Sequence, residues 1–181
     1  MIEGPRSQSR SICILFHPSI VPILDVFRSL RRLEDRYDLT LLNGPEEALT
    51  RLTGAEAART IVSDALLLAF CLARQQRRSP LSHQPPGSRR GTIDEYCLVT
   101  LLGASRYGDS ELAREAARAL GLSSIEVAAS LVVDLVRQIE RTYLPLDVPT
   151  LSEFRIIVAD RSIREEAVPP SLSPAGFNFS L

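Results

Sequence analysis

The stretch Ser11-Ile-Cys-Ile-Leu-Phe-His-Pro18, with Val21 to Arg36, Tyr37-Asp-Leu-Thr-Leu-Leu42 and Asn43-Gly-Pro-Glu-Glu47 after it, decides how the fold is read. Ser11 to Phe16 is a compact apolar, β-branched run that stops at His17-Pro18, the pattern of a buried strand ending in a turn. From Val21 to Arg36, Val21, Leu24, Phe27, Leu30 and Leu33 recur at helical spacing, with Arg28 beside Phe27 and with Arg31, Arg32, Glu34 and Asp35 turned outward. That spacing predicts an amphipathic helix. Tyr37 to Leu42 reads as a second strand, and Asn43-Gly-Pro-Glu-Glu47 as a helix start, with proline in the first turn and acids facing the positive end of the helix dipole. Strand, helix, strand, helix within about forty residues implies a short parallel sheet in the N-terminal part.

Further along, Thr53-x-x-Glu56 has the form of a capping box and predicts a helix from about Ala55 towards Gln76. Its second half, Ala65 to Ala73, is apolar all round, so a third strand over 64 to 70 stays open beside the helix. Thr92-x-x-Glu95 opens a helix through Leu102 that ends at Gly103, and a helix from Ser110 to Leu120 is stopped by Gly121. Ser123-x-x-Glu126 caps a helix running to about Tyr143, with Ile125, Ala128, Ala129, Val132, Leu135, Val136 and Ile139 on one wide apolar face. Phe154 to Ala159 reads as a late strand, and the last fourteen residues, 168 to 181, as a tail rich in Pro and Ser. The fold class expected is therefore α/β and helix-rich: a parallel sheet in the N-terminal part, a mainly helical C-terminal part and one late strand.

The rhythm of residues 11 to 52 resembles the first half of a flavodoxin-type sheet. The Gly44-Pro-Glu-Glu-Ala-Leu49 start of the second helix is similar in rhythm to response-regulator receiver domains. Those domains carry an acidic pair after the first strand for metal and phosphoryl chemistry, where this chain has Phe16, His17 and Pro18. The resemblance therefore implies a sheet topology and no phosphoryl acceptance.

Charge and composition divide the 181 residues into three regions. Residues 1 to 73 carry net charge -1, residues 74 to 92 carry five Arg and no acid, and residues 93 to 181 carry net charge -5. The middle piece holds Pro80, Pro85 and Pro86 and hardly an apolar side chain, so it reads as a linker or exposed loop between an N-terminal part (1 to 73) and a helical part (93 to 167), ahead of the tail. A net charge of -1 excludes a chain whose whole surface clamps nucleic acid or an anionic membrane. The longest apolar run has nine residues, far short of the roughly twenty of a spanning helix. With a polar N-terminus and no small-residue cleavage site, the expected location is cytoplasmic, with no membrane contact. Every one of the 21 basic residues is arginine, an absence of lysine that GC-rich codon usage would explain and that excludes a Walker-type phosphate loop.

Cys13, Cys71 and Cys97 are widely spaced in apolar contexts and form no CxxC pair, so they read as small buried hydrophobes and not as a zinc or disulfide framework. Two histidines and scattered carboxylates give no metal set, and no cofactor is expected. His17, at the carboxyl end of the first strand, is where an open α/β sheet places ligands, and Ser19 or Cys97 would be its nucleophile if the chain were a small enzyme. Residues 109 to 130 suggest a helix-turn-helix hairpin, with Ala117 before Gly121 and Val127 after it suiting a tight crossing. The helix that would read bases offers Ser123, Ser124 and Glu126 on an acidic piece, a poor footprint for DNA. Arg74, Arg77, Arg78, Arg89 and Arg90 form a better contact for an anion or an acidic partner. Phe177-Asn-Phe-Ser-Leu181 alternates like a strand that adds to a partner's sheet.

These features favour a non-enzymatic regulatory or accessory protein that works through a protein partner or self-association. A DNA-binding regulator and a small enzyme centred on His17 are the alternatives. The reading rests on the apolar helices at 65 to 73 and 125 to 139, which carry more apolar surface than a chain of this size easily hides.

Overall fold

The computed structural model describes residues 14–36, 38–75 and 80–166. Among them the chain forms seven α-helices: α1 (Val21–Arg36), α2 (Asn43–Thr53), α3 (Ala55–Gln75), α4 (Ile93–Tyr107), α5 (Ser110–Ala119), α6 (Ile125–Arg141) and α7 (Leu151–Glu166). The strands β1 (Ile14–Leu15) and β2 (Arg90–Gly91) pair antiparallel, Ile14 opposite Gly91 and Leu15 opposite Arg90.

The parallel sheet expected in the N-terminal part is therefore replaced by helices and one two-residue ladder. Of the apolar run at 11 to 16, Ile14 and Leu15 make the ladder, and Ser11 to Cys13 lie outside the described residues. The second expected strand is a 3-10 turn at Leu39–Leu42. Asp38 accepts hydrogen bonds from the Thr40 amide at 3.0 Å and the Thr40 hydroxyl at 2.6 Å, which closes the backbone locally before it can extend. The late strand is also helical: Phe154 to Ala159 lies inside α7. The Thr150 amide donates to Glu153 Oε2 at 2.8 Å while the Glu153 amide donates to Thr150 Oγ1 at 3.3 Å, a reciprocal capping box that starts a helix just ahead of the apolar run.

The open choice over 64 to 70 resolves as helix, within α3. Thr53 does not cap that helix: it ends α2, and its hydroxyl donates back to the Leu49 carbonyl at 3.0 Å. The α4 capping box forms between Thr92 and Glu95, yet the helix runs through Gly103 to Tyr107 and closes on Gly108 at φ +71°. Gly103 serves packing rather than termination, because a Cβ there would fall 2.5 Å from Val148 Cγ2. The cap of α6 is Ser124, whose hydroxyl accepts from the Glu126 amide.

Helix α3 packs against α1, α2 and α6, while α4 packs against α5, α6 and α7. One continuous hydrophobic core runs from Phe16 and Phe27 through Leu68 and Leu72 to Leu101, Leu135 and Phe154. The apolar helices bury one face each: Ala65, Leu68, Ala69 and Leu72 of α3 and Ala128, Val132, Leu135 and Ile139 of α6 all join that core. No described helix is long and apolar enough to cross a membrane.

Candidate functional site

The deepest polar feature is a charge cluster that sequence reading missed. Arg28, fully buried on α1, donates through Nε to Glu95 Oε1 at 2.7 Å and through Nη2 to Glu95 Oε2 at 3.0 Å, a two-pronged contact with an equally buried carboxylate. Its Nη1 donates to Asp25 Oδ1 at 3.0 Å and to the Ser88 carbonyl at 2.8 Å, and Nη2 reaches the Arg90 carbonyl at 3.3 Å. Loop amides complete the set: Gly87 donates to both Asp25 oxygens and Gln84 to Glu95 Oε1, while Ser82 donates to Asp94. Burial works against the charge on Glu95, but hydrogen bonds from His83, Arg28 and the Thr92 amide, with the nearby guanidinium, hold its carboxyl at about 2. The Arg28 guanidinium is raised above its ordinary value: burial opposes this, and Glu95 and Asp25 outweigh it. His83 Nδ1 stands 3.4 Å from Glu95 Oε1, the longest contact of the set. With every guanidinium nitrogen engaged by the protein, this cluster is a clamp that seats residues 82 to 92 on α1 and α4.

The clamp fixes where the arginines of the loop go. Arg89, just before β2, and Arg90, on it, are exposed, with Arg89 Nε reaching the Phe16 carbonyl at 3.4 Å, and Arg74 is exposed at the end of α3. Arg77 and Arg78 lie outside the described residues, as do Cys13 and the Phe177 to Leu181 segment. Cys97 is buried and Cys71 is half-buried.

His17 follows a two-residue edge ladder instead of a central strand. It is exposed, and its Nδ1 lies 2.7 Å from the hydroxyl of buried Ser19 two residues on, a contact local to the turn that leads into α1. Beside it is a cavity of about 90 Å³ between β1, the start of α1, the middle of α4 and residues 145–147. Among the described residues no group of His, Cys, Asp and Glu has the arrangement to hold a metal ion.

The hairpin at 109 to 130 does not cross tightly. Helix α5 packs on α4 and α6 on α3 and α4, and Val127, expected inside the crossing, is 63% exposed. Its surroundings belong to a different feature, a partly exposed strip along the seam where the antiparallel helices α3 and α6 meet. Cys71 Sγ lies 4.0 Å from the Val127 carbonyl at one end, and Asp64 faces Asp134 further along. Leu67, 52% exposed, and half-buried Leu131 fall between these levels, at helical spacing from Cys71 and Val127 respectively. Further along the same two helices lies a cleft of about 710 Å³ that includes Thr53, Glu56, Thr60, Gln138, Arg141 and Thr142. Partial burial and the charge of Asp134 both raise the Asp64 carboxyl, while Asp134 itself lies 3.5 Å from Arg137. Along the seam the order is thus an apolar strip, an acidic pair and a polar cleft.

No protein-family model, curated protein or solved structure matches this chain.

Proposed function

We propose that this chain is a non-enzymatic accessory protein of the cytoplasm that acts by docking a protein partner along the exposed strip of the α3–α6 seam. The observation carrying this reading is the strip Leu67, Cys71, Val127 and Leu131, which leaves apolar side chains in solvent between two helices whose inner faces are already satisfied by the core. Such a strip suits an amphipathic helix that places apolar residues one turn apart. The raised Asp64 carboxyl next to Asp134 adds a preference for an Arg or Lys on the partner, since a cation there relieves the like-charge contact. The odd number of scattered cysteines, with no CxxC pair, suits a reducing compartment.

The test is gentle isolation of the tagged full chain from its native host, with the bound material identified by mass spectrometry and by its absorbance ratio at 260 and 280 nm. A stoichiometric protein that is retained by the unaltered chain and lost in both Leu67→Asp and Val127→Asp supports the strip. Both positions are exposed, so the substitutions spare the core. A partner kept by both variants, nucleic acid alone, or an unaccompanied monomer contradicts it.

A further inference from the structure

The exposed strip of the α3–α6 seam is self-complementary once the charges at its ends are included. Along α3, Asp64, Leu67, Cys71 and Arg74 follow one another at spacings of three, four and three, so they share one face of the helix. Leu67 and Arg74 are exposed, and Asp64 and Cys71 are half-buried. The order is acid, apolar, apolar, base, and it is symmetric about position 69: Leu67 and Cys71 stand two residues to either side, Asp64 and Arg74 five. Helix α6 runs alongside with Val127 at the level of Cys71 and Asp134 at the level of Asp64, which brings position 129 level with 69 and leaves Val127 and Leu131 two residues to either side of it.

We propose that the partner seated on this strip is a second copy of the chain, in a two-fold symmetric dimer; the inference rests on the docking reading above and names its occupant. A two-fold axis crossing the helices at positions 69 and 129 lays α3 antiparallel on α3 of the second copy and α6 on α6. Leu67 then meets Cys71 of the second copy, Val127 meets Leu131, and Asp64 meets Arg74, each contact occurring twice. Arg74 of the second copy supplies the cation that the Asp64 and Asp134 pair favours. Within one copy the two groups cannot pair, because ten residues of helix hold them about 15 Å apart. Charge also selects this axis over the other symmetric choice. An axis running along the helices would lay α3 on α6 and bring Asp64 and Asp134 of both copies together, four carboxylates in one place. Asp134, 3.5 Å from Arg137 of its own copy, keeps that contact in the crossing arrangement. An apolar strip about 15 Å long makes a small interface, so the dimer is reversible, with dissociation in the micromolar range.

Sedimentation velocity of the purified full chain, from about 1 to about 300 μM, tests this. The expected result is a monomer at the low end and a dimer at the high end. Leu67→Asp puts two carboxylates into the apolar centre and leaves a monomer throughout. Asp64→Arg and Arg74→Asp each turn both end contacts from attraction to repulsion and weaken the dimer by about tenfold. An equimolar mixture of these two variants places opposite charges at both ends again and restores association to within about twofold of the unaltered chain. Recovery on mixing cannot come from a misfolded variant. A monomer at every concentration, a dimer unchanged by Leu67→Asp, or no recovery in the mixture overturns the proposal. The first of these leaves the docking reading standing where isolation from the native host still captures a different protein that Leu67→Asp and Val127→Asp both lose, so the two failures are told apart.

Discussion

Replacing Arg28 by methionine removes the centre of the clamp while keeping most of its apolar bulk. Glu95, fully buried, then loses both guanidinium bonds at 2.7 and 3.0 Å, and Asp25 loses its bond at 3.0 Å. Breaking one side of a buried ion pair typically costs about 3–5 kcal/mol, because the remaining charge stays desolvated. The pH dependence gives a second measure. The Glu95 carboxyl, held at about 2 against an ordinary 4.5, is worth roughly 3 kcal/mol at neutral pH, at about 1.4 kcal/mol per pH unit. Because the folded value is depressed, this contribution is fully present above 4.5 and is lost as pH falls from 4.5 towards 2. Urea unfolding followed by far-UV circular dichroism across that range measures both. The unaltered chain loses stability steeply below pH 4.5. Arg28→Met starts several kcal/mol lower at pH 7 and lacks most of the acid limb, since burial then favours protonated Glu95. A variant within about 1 kcal/mol of the unaltered chain at pH 7, or one that keeps the same acid limb, would refute the clamp. Removing both ends in Arg28→Met with Glu95→Leu should cost less than the two single changes together, because the fully buried Glu95 charge is no longer left unpaired and Asp25 keeps the Gly87 amide.

Three further changes probe the parts that shape the surfaces. Gly91→Ala drives a methyl into the Phe16 ring and should cost about 1–3 kcal/mol in thermal or urea unfolding, with the amides near His17 shifted by NMR. Phe154→Ala deletes a side chain that is 1% exposed and stacked on Tyr96 at 5.8 Å; a loss of about 3–5 kcal/mol is expected, and one under about 1 kcal/mol would mean that α7 does not pack there. Asp109→Ala removes the carboxylate that accepts from the Leu112 amide at 3.0 Å, for an expected loss of about 1 kcal/mol confined to hydrogen-exchange protection in α5.

What the sequence made legible were features governed by neighbours in the chain. The periodicity from Val21 to Arg36 marks α1 at both ends, Asn43-Gly-Pro-Glu-Glu47 starts α2, and Thr92-x-x-Glu95 forms the expected box. Strand readings failed where a short apolar run carries no period of its own. Tyr37 to Leu42 and Phe154 to Ala159 look extended by composition, and the deciding signals were the polar residues beside them, Asp38 and the Thr150-x-x-Glu153 pair. The clamp was hidden for another reason. Arg28 and Glu95 are 67 positions apart, and only the presence of an arginine beside Phe27 on an apolar helix hinted that its charge needs a buried partner. The exposed strip was half legible: 65 to 73 and 125 to 139 read as apolar helices, but which side chains stay in solvent depends on the register of α3 against α6.

The most direct test of docking along α3 and α6 places a photoactivatable cross-linking residue at Leu67 in the full chain, expressed in its native host, with Arg155 on the exposed face of α7 as the control position. The account predicts one discrete protein adduct from position 67 and none from 155. Mapped by mass spectrometry, the captured segment should carry apolar residues one turn apart and an Arg or Lys. Equal labelling from both positions, or no adduct at 67 in a host where the chain is abundant, would contradict it.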